Sequence, residues 1–362
     1  MISNQILQST IDELKKITQI DLHIFAGEGK VLASTQADAS QYSSLVADFA
    51  KAPEEHKEID GYHFYKIYDE YQLEYILVSC GKGTEAQTIG SVAAFQIKSL
   101  LTAYQERFDK DNFFKNLLLD NLLLVDIYNR AKKLHVDTEV RRVIFIIEMP
   151  SNEDANVLEQ VRNSLGSKTK DFITAVDEKN VIIVKEVKAN AGYKELDGYA
   201  NETLEFLQEE CGVSFHVAYG TIVSDIKEVS KSYKEAKLAL DVGKIFFSEK
   251  NVVAYNTLGI GRLIYQLPVP LCKMFIREIF EGKSPDDFDE ETLTTIDKFF
   301  ENSLNVSETS RQLYIHRNTL VYRLDKIQKS TGLDLRVFED AITFKIALMV
   351  VKYMKYMETV EY

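Results

Sequence analysis

Arg317 and Asn318 stand side by side near the end of the chain, within a run of polar and basic residues from Asn305 to Gly332. Arginine and asparagine are the side chains best able to pair bidentately with base edges in a major groove. Around them lie Ser307, Thr309, Arg311, His316, Thr319, Tyr322, Arg323 and Lys326, whose hydroxyl, imidazole and cationic groups suit phosphate and sugar contacts. Between Ser303 and Ser330, Arg311, Arg317, Arg323, Lys326 and Lys329 outnumber Glu308 and Asp325. Just upstream the balance reverses, with Asp286, Asp287, Asp289, Glu290 and Glu291 crowded behind Pro285 in what reads as a linker and the start of a helix. A basic patch confined to one module is what a DNA reader in an acidic protein requires.

The elements that must hold these groups are legible in the spacing. Asn305, with Glu308 three residues on, makes a capping-box-like start to a helix running through Leu313. A tight turn at Ile315-His316 follows, and a second helix opens at Arg317. Leu320, Leu324 and Ile327 fall at i, i+4 and i+7, one narrow apolar stripe. Asn318, Tyr322, Asp325 and Lys329 share the opposite face, with Arg317, Thr319, Val321 and Lys326 on its shoulders. A helix-turn-helix needs this division: one stripe seats the second helix while its other face and N-terminal end enter the groove. His316 is placed to cap that helix or to meet a phosphate. The same spacing also describes a helical hairpin with a charged solvent face.

The run from Arg311 to Leu324 resembles the C-terminal signature of the PucR/CdaR family of bacterial transcriptional regulators, whose core reads L-x-[IV]-H-R-N-T-L-x-Y-R-L. Ser310 stands where that family has alanine. Gly220 to Gly259, with Ser232-Tyr233-Lys234-Glu235-Ala236, Ala239-Leu240 and Leu258-Gly259, is similar to the end of the GGDEF-like middle domain found there. Lys16 to Ser34 is similar to the opening of a sugar-diacid recognition domain, but the arginine-isoleucine-glycine and histidine expected next are absent around Thr35 to Leu45. The resemblance implies a DNA-binding regulator with a divergent N-terminal sensor.

Upstream, Ile6, Leu7, Ile11, Leu14 and Ile17 recur at helical spacing, and strands are expected at Asp21 to Phe25 and Lys30 to Ser34. Tyr62 to Tyr68 and Tyr71 to Ser79 form a hairpin around Asp69-Glu70. Helix, hairpin, helix, hairpin and a long exit helix from about Glu85 make a small α+β sensor of the PAS or GAF kind. On the exit helix, Ile97, Leu101, Tyr104 and Phe108 space a seam that invites a second copy of the chain, or else packs on its own domain. Past Asp111 the seam gives way to Phe113, Phe114 and the Leu117 to Val125 cluster.

Val143 to Ile147, Phe172 to Val176, Val181 to Val187 and Phe215 to Tyr219 read as strands. Helices near Asn156 to Leu165, Tyr193 to Glu210 and Ile226 to Phe247 alternate with them, giving an α/β domain with a mainly antiparallel sheet. The fold class is therefore α+β and multidomain: a PAS/GAF-like sensor at 1–110, a helical connector at 111–138, a degenerate GGDEF-like domain at 139–260, a linker and helical connector at 261–292, and an all-α helix-turn-helix domain at 293–362.

Several other chemistries find no support. A formal charge of -13 argues against a protein that coats nucleic acid over its whole surface. A diguanylate cyclase needs a Gly-Gly-Asp/Glu-Glu-Phe hairpin; the corresponding turn, Asp177-Glu178-Lys179-Asn180, has no glycine. Gly27-x-Gly29-Lys30 and Gly81-Lys82-Gly83-Thr84 lack complete Walker spacing and read as turns. His23, His56, His63, His135, His216 and His316 show no metal-ligand spacing, so neither metal nor cofactor is expected. Cys80, Cys211 and Cys272 are unpaired in spacing and fit a reducing compartment. No stretch approaches a membrane span and Met1 to Leu14 lacks the pattern of a signal peptide. The expectation is a cytoplasmic homodimer that binds a double-stranded operator and responds to an effector the sequence does not name. The alternative is a nucleotide-signalling enzyme or nucleotide-binding effector built on the middle domain.

Overall fold

The computed structural model describes residues 2–69, 72–149, 155–168, 171–280 and 288–360. Glu70 and Tyr71 of the expected hairpin, Pro150, and Pro285, Asp286 and Asp287 of the acidic linker lie outside the described residues. The chain divides into two compact units, Met1–Phe114 with Lys132–His135, and Lys115–Ala131 with Val136–Tyr362.

The first unit runs α1 (Asn4–Thr18), β1 (Asp21–Phe25), β2 (Val31–Ser34), a 3₁₀ turn (Ala39–Tyr42), α2 (Ser43–Lys51), β3 (His56–Ile59), β4 (Tyr62–Asp69) and β5 (Gln72–Cys80) into the long α3 (Thr84–Leu118). Its five strands pair antiparallel in the order β2-β1-β5-β4-β3. Side chains alternate across a strand, so both faces of this sheet are supplied with apolar groups. Leu22, Ile24, Tyr65 and Leu77 pack under Leu7 and Ile11 of α1 and Ala93, Ile97 and Leu101 of α3. Phe25, Phe64, Ile76 and Val78 pack under Tyr42, Val46 and Phe49.

That arrangement corrects the reading of the exit helix. Ile97 is 0% exposed and Leu101 3%, both inside the unit's own core, and Tyr104 packs beside them. The seam is intramolecular, and Phe108, which should have extended it, is 65% exposed. Past Asp111, where the seam gives way, the helix itself continues to Leu118. The strand β3 had no apolar alternation to announce it, since His56, Lys57 and Glu58 are exposed on a sheet edge, where charge is the usual protection against unwanted pairing.

In the second unit α4 (Leu124–Lys133) leads to β6 (Arg142–Glu148), α5 (Ala155–Lys168), β7 (Phe172–Thr174), β8 (Asn180–Glu186), α6 (Tyr193–Cys211), β9 (His216–Tyr219), α7 (Val229–Phe246) and β10 (Val252–Ala254). The sheet order is β10-β9-β6-β8-β7, antiparallel except for the β10–β9 pair. β6 sits at the centre, and its continuous apolar run is explained by burial on both faces. Val143, Phe145 and Ile147 meet Val161 and Leu165 of α5 and Leu196, Ala200 and Leu207 of α6. On the other side Ser232 of α7 accepts a hydrogen bond from the Ile144 amide at 3.1 Å and donates to the Thr221 carbonyl at 2.8 Å. Gly220 lets this approach happen: a Cβ there would lie 2.1 Å from the Ser232 carbonyl oxygen.

The chain then passes through α8 (Gly261–Ile264) and α9 (Val269–Phe280) to α10 (Glu290–Glu301), α11 (Val306–Gln312), α12 (Arg317–Thr331) and α13 (Phe338–Val360). Ile296, Phe299, Leu320, Leu324, Ile327, Leu335, Phe344 and Ala347 close one helical core with Phe280. Farther along α13, Val350, Tyr353 and Met354 join Ile264 and Cys272 in a second core that also takes in Ile245 and Phe246 of α7.

Candidate nucleic-acid interface

Two caps set the geometry of the helix pair. Asn305 accepts from the Ser307 and Glu308 amides at 3.0 and 3.1 Å, satisfying donors that the first turn of α11 leaves open. The reciprocal half of a capping box is not made, because Glu308 turns forward to Arg311 and Gln312. His316 caps α12: its backbone is extended and its Nδ1 accepts from the Asn318 amide at 3.2 Å. With Nδ1 acting as acceptor, the neutral ring carries its proton on Nε2, an outward donor. Gly332, in the left-handed region, ends the helix after Thr331.

Leu320, Leu324 and Ile327 are each 0% exposed, so the stripe read from spacing is the seat of α12. On the outward side Arg317, Asn318 and Thr319 are exposed, and Tyr322 is 70% exposed. Ser307 and His316 are exposed as well. Among the described residues neither Arg317 nor Lys329 has an ion-pair partner, so both heads are open to an external anion.

Three of the residues expected at the interface are placed otherwise. Thr309 is 0% exposed and faces the interior, because its position on α11 is the one turned toward the helix pair's core. Arg323 reaches across to α10, donating to Thr295 Oγ1 at 3.0 Å and to Glu291 at 2.8 Å. Lys326 pairs with Asp289 at 2.8 Å. Asp289 also caps α10 by accepting from the Thr292 amide at 2.7 Å, and the Lys326 ammonium with this amide holds its carboxyl well below the usual carboxylate range. Arg323 and Lys326 thus tie the flank of α12 to the start of α10. Sequence reasoning missed this clamp, though the signal was present in the acids that open α10. Arg311 stays on the surface, paired with Glu308 on its own helix.

In the middle domain the turn between β7 and β8 is closed on itself. Asp177 accepts from the amides of Lys179 and Asn180 at 2.9 and 2.8 Å and from the Asn180 side chain. Among the described residues no group of three His, Cys, Asp or Glu side chains is placed to hold a metal ion.

Residues 292–350 match the family described as the PucR C-terminal helix-turn-helix domain, and residues 121–242 match a GGDEF-like domain. The chain thus carries a PucR-type helix-turn-helix domain and a GGDEF-like domain. Its relatives include the carbohydrate diacid regulator of Escherichia coli, 26% identical over 60% of this chain and 59% of that protein. The purine catabolism regulatory protein of Bacillus subtilis is 26% identical over 45% of this chain and 32% of its own length. The DNA-binding transcriptional activator AdeR of the same organism is 27% identical over 46% of this chain and 40% of its own. The chain therefore aligns with about a third to three fifths of the length of these curated relatives. The PucR-type match takes in most of α10, all of α11 and α12 and much of α13; of the clamp's partners on the α10 side it includes Thr295, while Asp289 and Glu291 lie just before it. Among the described residues no helix is long and apolar enough to cross a membrane.

Proposed function

We propose that this chain is a sequence-specific, DNA-binding transcriptional regulator that reads an operator with α12 and responds to a small-molecule effector or metabolic signal. The observation that carries the reading is the outward end of α12: Arg317, Asn318 and Thr319 exposed at a capped N-terminus, with the opposite stripe wholly buried. Such an end enters a major groove with its N-terminal side chains on base edges. Ser307, Arg311, His316 and Tyr322 are its flanking contacts in this proposal. The relatives, a carbohydrate diacid regulator and a purine catabolism regulatory protein among them, support a metabolic signal.

The N-terminal unit is the sensor, of a PAS- or GAF-like kind supported by its antiparallel order β2-β1-β5-β4-β3 between helical layers. In this proposal the functional parts divide at about 110, 138, 260 and 292. A homodimer in the cytoplasm is part of the proposal, on the ground that helix-turn-helix readers pair to match two half-sites. The middle domain acts in coupling and not in catalysis, since the Asp177 carboxylate is spent on its own turn; purified chain incubated with GTP should yield no product above a buffer control.

The test is selection of duplexes from a random pool by the full chain. Convergence on one sequence, bound at least about a thousandfold more tightly than random duplex, is the expected result. A pool that stays random would sink the proposal.

A further inference from the structure

Tyr314 sits in the turn between α11 and α12 with its side chain 96% exposed, and among the described residues no large hydrophobic is more exposed. Its φ is 56°, in the left-handed region. That conformation penalises any residue with a Cβ, which is why helix-turn-helix turns often place glycine there and why asparagine is the next best choice. Backbone bonds on either side impose it: the Tyr314 amide donates to the Arg311 carbonyl at 3.2 Å and the Ile315 amide to the Ser310 carbonyl at 3.0 Å. Among the described residues the phenol has no hydrogen-bond or ring partner. The fold therefore gains nothing from this side chain, in backbone conformation or in burial. An unfavourable conformation occupied by a costly, unused group points to something outside the fold.

The direction in which to look is set by position. Tyr314 lies two residues before the cap His316 and three before Arg317, at the end of α12 whose exposed groups face outward. We infer that Tyr314 is a DNA contact, its phenolic hydroxyl donating a hydrogen bond to a phosphate oxygen beside the groove that α12 enters. Tyrosine is among the side chains that serve as backbone anchors, and an uncharged donor fixes register without adding to counterion release. The inference rests on the DNA-binding reading above and adds to it a residue that the sequence pattern did not single out.

The experiment uses the full chain and the duplex selected by the wild type, comparing Tyr314→Asn, Tyr314→Phe and Asn318→Ala in titrations across a salt series, each with a thermal melt. Tyr314→Asn relieves the backbone and should melt no earlier than the wild type, yet bind roughly tenfold more weakly. Tyr314→Phe should lose about as much, and the salt slope of both should match the wild type, because no cation has been removed. Wild-type affinity in Tyr314→Asn or in Tyr314→Phe, with Asn318→Ala weakened, would overturn the Tyr314 contact and leave the reading of α12 standing. An early melt of Tyr314→Asn would make the ring structural and equally overturn it. Failure of the wild type to select any duplex would take down both.

Discussion

Ser34 decides the chemistry of His23. The serine hydroxyl donates to the Gln36 carbonyl, so the contact at 2.8 Å between its oxygen and His23 Nδ1 must be donated by the ring. Nε2 is then a bare acceptor in a residue with 0% exposure, and it finds no partner among the described residues. Burial pushes this histidine below its ordinary pKa, with Asp21 pulling it up and Lys15 pressing it down. The folded value lies below the unfolded one, so its contribution to stability is full above about pH 6.5 and is lost as the pH falls below it. Full-chain melts from about pH 7.5 to about pH 5 should therefore slope downward, and His23→Gln should flatten the slope. His56, also pushed down by burial and by His63, keeps part of it; a variant as steep as the wild type would show that His23 is not a source. Sequence showed His23 only as a histidine in a strand, since its tautomer depends on groups that the fold assembles. Ser232 teaches the same lesson. Its motif was legible, but its work, bridging Ile144 and Thr221, appears only when α7 is laid against β6.

At the scale of elements, period carried most of what could be read in advance. The stripe Leu320, Leu324 and Ile327 follows its spacing because one face of α12 is buried, and the continuous apolar runs of β4 and β5 follow from burial on both faces of their sheet. The α3 seam shows the limit: spacing identifies a buried stripe and does not say by whom it is buried. Leu101, 3% exposed in its own unit, should respond to Leu101→Lys by melting early, since a buried unpaired charge is strongly destabilising; clean dissociation to a folded monomer would restore the intermolecular seam. Periodicity could not show the clamp between α10 and α12, whose ion-pair partners lie 32 and 37 residues apart; its trace in the sequence was the run of acids that opens α10. It makes its own prediction. Asp289→Asn keeps a cap on α10 but frees Lys326, so binding at low salt should tighten several-fold and the salt slope steepen by up to roughly 0.9. Unchanged binding and slope would show that Lys326 does not reach a phosphate.

In the molecule as a whole, α13 serves two cores. Phe344 and Ala347 complete the core around α12, and Val350, Tyr353 and Met354 pack with Cys272 and the end of α7. At that second core Tyr265 donates to Asp241 at 3.0 Å, and burial raises the carboxyl above its usual range. A helix shared in this way joins the helix-turn-helix module to the middle domain by packing, which a flexible linker would not do. The central claim remains that α12 reads DNA with one face and holds the fold with the other. It is tested most directly by titrating the selected duplex with Asn318→Ala and Leu320→Ala chains, each with a thermal melt. Asn318→Ala should melt like the wild type and lose ~1–3 kcal/mol of binding, whereas Leu320→Ala should lose roughly 2–5 kcal/mol of stability and bind poorly through unfolding. An Asn318→Ala chain that binds normally, or melts as early as Leu320→Ala, would contradict the assignment of the two faces.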